Sequence, residues 1–216
     1  VALVAYLRRR CLRLADVAET VAAIVPCYLP NEVDIIKDTL RHLLEKMTHV
    51  RSLTVYLVYN TPHRMAVEAE LAAMAEEALP EGRRLVVQEC PGSRSKAENL
   101  NFVAPRLTEK YTVVYDADHH PDPDSLALAV QYLEATGVDC VQGSTYIRQG
   151  SFVQRCLTNA EFFVVYFVAL PAMQAVSGTG FFGGANGVWK TASLQLMRFN
   201  EKALCEDIDC FARAIL

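Results

Sequence analysis

The chain has 216 residues, 52% of them apolar and 21% charged, with a formal net charge of −4. That length and balance fit one large folded domain and exclude an intrinsically disordered chain. The negative balance also argues against nucleic acid as a partner, because a phosphate backbone is met by clustered Lys and Arg.

The first segment carries Leu3, Leu7, Leu12, Leu14 and Val17 at helical spacing, which predicts an N-terminal helix over residues 1–20. Its basic cluster, Arg8, Arg9, Arg10 and Arg13, reads as a solvated helix face or as a contact for anionic lipid headgroups. Val21 to Val25 is a β-branched run ending at Pro26, the pattern of a buried strand. Ile35, Ile36, Leu40, Leu43 and Leu44 then follow with helical spacing. Strands are expected at Leu53 to Tyr59, Leu85 to Gln88, Tyr111 to Tyr115 and Val138 to Gln142. Helices are expected between them at Met65 to Leu79, Ser95 to Leu107 and Ser125 to Ala135, the last capped by Asp124.

This alternation predicts an α/β fold with a mostly parallel central sheet and helices on both faces. In such sheets ligands bind beyond the carboxyl ends of the strands. Chemistry is therefore expected at Pro26 to Glu32, Asn60 and Thr61, Glu89 to Lys96 and Asp116 to Asp124.

After residue 143 the rhythm changes. A long apolar helix is expected over Phe152 to Met173, carrying Arg155 and Glu161 and lying near a membrane or an absent helix. Its purely apolar run, Phe162 to Met173 with Pro171 inside it, falls short of the roughly 20 residues that span a bilayer. A glycine-rich loop follows, and Glu206, Asp207 and Asp209 open a last helix over Ile208 to Leu216. One catalytic domain over 1–216 is expected, as a fragment whose C-terminal part is missing. The seven cysteines include no Cys-x-x-Cys pair, and their odd number predicts free thiols in a reducing compartment.

Four constellations carry chemistry. Asp116-Ala117-Asp118 follows an apolar strand, and Mg2+ or Mn2+ is held by one or two carboxylates together with substrate phosphates. The adjacent His119 and His120 read as solvent-facing loop residues. Lys96 opens a helix, where a cation and a helix N-terminus together suit a diphosphate. Asn101, one turn on, fixes a loop, touches a ligand bound there or packs in the core. Glu206, Asp207 and Asp209 are acids at a helix start, where they read as caps, and together with the earlier pair the cluster becomes a candidate for the general base. Phe182-Gly183-Gly184 lets a ligand approach the backbone closely, while Trp189 reads as core.

In this order the four constellations resemble the family 2 glycosyltransferases of GT-A (Rossmann-like) fold, in particular the processive, membrane-bound members related to cellulose synthases. The resemblance covers about Val21 to Leu216, through Val25 to Glu32, the Lys96 segment, Asp116-Ala117-Asp118, Val141-Gln142-Gly143, Phe182-Gly183-Gly184 and Glu206-Asp207. It implies inverting, metal-dependent transfer from a nucleotide sugar, a UDP-sugar first, to a carbohydrate or lipid acceptor at the cytosolic face of a membrane. It implies a donor site of Pro26, Tyr28, Glu32, Asn60, Lys96, Asn101 and Asp116, with Asp118 and Asp116 at the metal. It further implies an acceptor site of Phe182, Gly183, Gly184 and Glu206, with Asp207 as the base. Asn60 stands where the family carries paired aspartates, and the sequence stops before a Gln-x-x-Arg-Trp motif. Two other readings stay open: a phosphatase of the haloacid dehalogenase type, and a non-catalytic nucleotide- or carbohydrate-binding module.

Overall fold

Alternate residues of the first strand feed two separate cores. In the computed structural model, which describes residues 12–215, β1 runs Val17–Tyr28 and its central residues are fully buried on both faces. Val21, Ala23 and Val25 join one apolar cluster, and Ala22 and Ile24 join the other. A strand covered on both sides has no polar face, which is why its sequence reads as an unbroken apolar run.

The first cluster is covered by three helices: α2 (Ile36–Lys46), α3 (Val67–Glu76) and α5 (Ser125–Thr136). The second is covered by α4 (Lys96–Val103), α7 (Thr191–Met197) and α8 (Glu206–Ile215). Between them lies a six-stranded sheet of order β3-β2-β1-β4-β6-β5. The other strands are β2 (Val50–Asn60), β3 (Arg83–Glu89), β4 (Tyr111–Val114), β5 (Cys140–Gln142) and β6 (Gly187–Lys190). Strands β1 to β4 pair in parallel, and β6 runs antiparallel to both β4 and β5. The expected α/β architecture, mostly parallel with helices on both faces, is the observed one.

Several boundaries differ from expectation. Residues 12–16 are irregular and β1 already begins at Val17, so the helix expected over 1–20 does not continue past residue 11. Its first part and Arg8, Arg9 and Arg10 lie outside the described residues. Asp124 precedes α5 but makes no capping hydrogen bond from its side chain. The segment Ser95 to Leu107 divides, because Pro105 turns its end into a 3-10 turn, Ala104–Arg106. Strand β6 and helix α7 had no counterpart in the sequence reading.

The apolar helix α6 runs through Phe152–Ser177, 26 residues and about 39 Å at 1.5 Å per residue. It runs past the expected end at Met173, with Pro171 inside it as expected. One π-turn, Val165–Ala169, widens the helix just ahead of the proline, and the Leu170 N–H reaches back to the Val165 carbonyl. Length and hydropathy now meet the requirement for crossing a bilayer, and none of its most apolar stretch is buried. All six described cysteines are free.

Candidate active site

A cavity of about 1000 Å3 opens at the carboxyl ends of β1, β2 and β4. Pro26, Cys27 and Tyr28 enter it from the end of β1, and Glu32 from the short α1 (Leu29–Glu32). Asn60, Thr61 and Pro62 come from the end of β2, and Asp116, Ala117 and Asp118 from the turn after β4. Gly92 to Lys96 and Asn99 complete the lining from the loop after β3 and the start of α4. These are the segments at which chemistry was expected.

The Asp116 turn is braced from three directions. Within it, the His119 N–H donates to the Asp116 carbonyl (3.0 Å), and the Asp116 N–H donates to His119 Nδ1 (3.0 Å). From α2, Thr39 Oγ1 donates to the Ala117 carbonyl (2.6 Å) and His42 Nε2 donates to the Pro121 carbonyl (2.7 Å). His120 stacks on His42 with ring centroids 4.8 Å apart, and its Nε2 lies 3.2 Å from Thr39 Oγ1. From the loop after β5, Arg148 donates to the His120 carbonyl (2.8 Å). His119 and His120 were expected to face solvent: His120 does and His119 is half-buried, and both also hold the turn that presents the acids.

Lys96 Nζ forms a salt bridge with Asp116 Oδ1. Its helix starts there because Ser95, in extended conformation, caps the Glu98 N–H (3.2 Å) while Glu98 takes the Arg94 N–H (2.5 Å). Glu32 feels the acids opposite. Burial, followed by the charges of Asp118 and Asp116, raises its pKa above the usual carboxylate value. Burial, with Glu32 beside it, pushes the Cys27 thiol up to about 12, so this cysteine is an inert wall of the cavity.

One ligand atom from each of Asp116, Asp118 and His119 lie within 4.8 Å of one another. The set fits a small divalent cation: two hard carboxylates crowd a third, Glu32, and Asp118 is exposed without a hydrogen bond among the described residues. The single lone pair of His119 Nδ1 is occupied by the Asp116 N–H, so the carboxylates are the natural ligands.

Two asparagines separate. Asn101 does not reach the cavity: it accepts from the Phe199 N–H and donates to the Phe199 carbonyl (both 2.8 Å), fixing the loop after α7. Asn99, which sequence reasoning passed over, lines the cavity and donates to Asn60 Oδ1 (2.9 Å). Asn60 in turn donates to the Ser93 carbonyl (3.0 Å), so its amide ties the ends of β2 and β3 together. The signal for Asn99 was its three-residue spacing from Lys96, which puts both on one helix face.

Phe182, expected at the acceptor site, is a core residue. Its ring packs edge-on to Trp189 at 5.1 Å between centroids and directly over Gly187, where a Cβ would come within 2.3 Å of it. Trp189 is core, as expected. Gly183 and Gly184 lie beyond the start of β6, which the antiparallel pairing puts at the same sheet edge as Asp116. The Asn186 N–H donates to the Val114 carbonyl (2.8 Å), tying this loop to the end of β4. Glu206 and Asp207 open α8, and Asp207 rests against Gly184, whose φ is +78°. Asp207 is not among the residues lining the cavity; of the three acids expected to converge, Asp116 and Asp118 share it and Asp207 stands at the neighbouring loop. Asp209 is bound by Arg213 (2.7 Å) and Asn200 (3.3 Å), whereas among the described residues Asp207 accepts only from the Ile208 N–H (2.8 Å).

The family described as Glycosyltransferase like family 2 matches residues 18–214. A probable glucomannan 4-beta-mannosyltransferase of Arabidopsis thaliana is 30% identical over 112 residues, half of this chain and 21% of that protein. Among solved structures, the mannosyltransferase PcManGT from Pyrobaculum calidifontis, in complex with GDP-Man and Mn2+, superposes with a TM-score of 0.67 at 23% identity. The match covers 99% of this chain and 58% of that one. TarS 1-349 of S. aureus in complex with UDP-GlcNAc matches 91% of this chain and 53% of its own, with a TM-score of 0.62 at 15% identity. The chain therefore spans about a fifth of the curated relative and just over half of these structures.

Proposed function

We propose that this chain, which belongs to the family 2 glycosyltransferases, transfers a sugar from a nucleotide donor in the cavity to an acceptor hydroxyl, inverting the anomeric centre. The observation that carries this reading is the meeting of Lys96 with Asp116, beside Asp118 and Glu32, at the carboxyl edge of the sheet. A phosphatase nucleophile is not needed, and family membership removes that alternative.

Tyr28, Pro26 and Glu32 line the cavity and would contact the nucleoside, with Asn60 in the same lining. Lys96 and the first N–H groups of α4 face the diphosphate, whose negative charge grows as the glycosidic bond breaks. Asp118 and Asp116 would hold Mg2+ or Mn2+, which would supply Lewis-acid stabilisation of that leaving group. Asp207 takes the proton of the acceptor hydroxyl as its oxygen attacks the anomeric carbon from the opposite face. A single displacement of this kind needs no covalent intermediate. The acceptor, a carbohydrate or lipid, enters past Gly183 and Gly184 beside Glu206.

A membrane is the second partner we propose, at its cytosolic face. The exposed apolar helix Phe152–Ser177 supports it, and free cysteines support the reducing side.

Titration of nucleoside diphosphates with and without Mn2+, followed by nucleotide sugars, tests the reading. UDP-sugars come first; GDP-mannose comes second, because the Arabidopsis relative and the Pyrobaculum structure are both mannosyltransferases. Metal-dependent nucleotide binding with sugar transfer or hydrolysis is expected. Binding with neither would leave a non-catalytic module and overturn the reading.

A further inference from the structure

We propose that Gln142 is a positioning residue for Asp207, an inference that rests on reading Asp207 as the general base. Gln142 is the last residue of β5, an edge strand whose final pair is Gln142 with Gly187. Its side-chain amide grips the loop ahead of β6 from both ends. Oε1 accepts from the Gly183 N–H at 2.8 Å, and Nε2 donates to the Ala185 carbonyl at 2.7 Å. The next residue adds a third tie, since the Gly143 N–H donates to the Asn186 carbonyl at 2.8 Å. The two contacts of Gln142 bracket Gly184, so its amide sets where that α-carbon stands.

Asp207 is seated on that α-carbon. A Cβ at Gly184 would lie 2.8 Å from Asp207 Oδ2 and 3.2 Å from its Cβ and Cγ, so only a hydrogen fits between loop and carboxylate. The left-handed φ of +78° at Gly184 makes the turn that brings the loop there. Asp207 sends its other oxygen, Oδ1, to the Ile208 N–H (2.8 Å) at the start of its own helix. The carboxylate is therefore held on one side by its helix and on the other by a surface whose height Gln142 fixes. Gln142 touches none of the cavity-lining residues through a hydrogen bond, so its influence runs to the acid and not to the donor.

Gln142→Met keeps the length of the side chain and removes all its hydrogen bonds. Its turnover for sugar transfer is expected to fall roughly 10- to 100-fold, the scale on which misplaced catalytic groups lose rate. Its affinity for the donor nucleoside diphosphate with Mn2+ is expected to stay within about twofold, since the free energy involved at that site is unchanged. In an Asp207→Asn background, adding Gln142→Met is expected to cost nothing further, because residues acting through one group are not additive. Gln142→Glu serves as the second variant should Gln142→Met not fold; it keeps the bond from Gly183 and sets an oxygen against the Ala185 carbonyl, with the same split expected. Wild-type turnover in either variant, with Asp207→Asn inactive, overturns the positioning role. A loss of donor affinity and melting temperature matching the loss of turnover also overturns it, making Gln142 a brace of the fold. Full activity of Asp207→Asn instead removes the base assignment on which the inference rests.

Discussion

The ammonium of Lys96 and the carboxylate of Asp116, twenty residues apart in the chain, close one wall of the cavity as a salt bridge. Both side chains keep access to solvent, 27% for the lysine and 40% for the aspartate. A pair that exposed contributes at most about 1 kcal/mol to stability. A cation facing the charge that develops on a leaving group contributes about 3 kcal/mol in a transition state. The larger effect is the one on which the role proposed for Lys96 draws.

Lys96→Met is accordingly expected to leave the melting temperature nearly unchanged while weakening binding of nucleoside diphosphates about tenfold or more. Calorimetric titration beside a thermal melt separates the two effects. A large drop in melting temperature with unaltered affinity would contradict it.

Asp118→Ala should abolish the metal-dependent part of nucleotide affinity. With Mn2+ present the dissociation constant is expected to rise at least about tenfold. Without metal, variant and parent should bind equally.

Asp207→Asn should retain donor affinity and lose sugar transfer by a factor of about 100 or more, the usual worth of a general base. Binding measured by titration and transfer measured by product release read the two separately. Undiminished transfer would move the base elsewhere.

Glu32 gives a pH dependence. Its folded-state pKa is raised, by burial first and then by Asp118 and Asp116, so folding favours its protonated form. Stability from this group is present in full below its ordinary value of 4.5 and is lost as pH rises through the raised value. Glu32→Gln should therefore melt at a higher temperature than the parent at pH 7, and the gap should close near pH 4. Thermal melts at the two pH values decide it; a gap that widens on acidification would refute the sign.

Gly187→Ala tests the core beneath the loop. The new methyl would enter the Phe182 ring, whose atoms stand 2.3 and 2.6 Å from it, and Trp189 behind leaves little room to retreat. Overpacking of this kind costs about 1–3 kcal/mol, to be read as a lower denaturation midpoint.

What the sequence disclosed depended on how local its signal was. Val113 and Val114 mark a strand on their own, and Asp116 and Asp118 follow it directly, so the acid pair could be placed without tertiary knowledge. Lys96 was legible for the same reason, at the start of a capped helix. Asn101 and Asn99 were not distinguishable by residue type; only the helix face, and the Phe199 backbone 98 residues away, tells them apart. Phe182 in a glycine-rich run looks like a ligand platform until Gly187 and Trp189 are seen to enclose it. The four residues of β6 carry too little period to announce a strand, and they pair only because β4 and β5 flank them. The helix through Pro171 was legible from its apolar residues, but the π-turn ahead of the proline was not.

The ties around Arg148 make one mechanical unit of two regions that look unrelated. Asn159 of α6 clasps the Ile147 backbone through both ends of its amide, at 2.6 and 3.0 Å, and Arg155 holds the Arg148 carbonyl at 3.1 Å. Arg148 then grasps the His120 carbonyl, two residues beyond Asp118. A short rope of polar links thus joins the greasy rod at Asn159 to the backbone of the turn that carries Asp116 and Asp118.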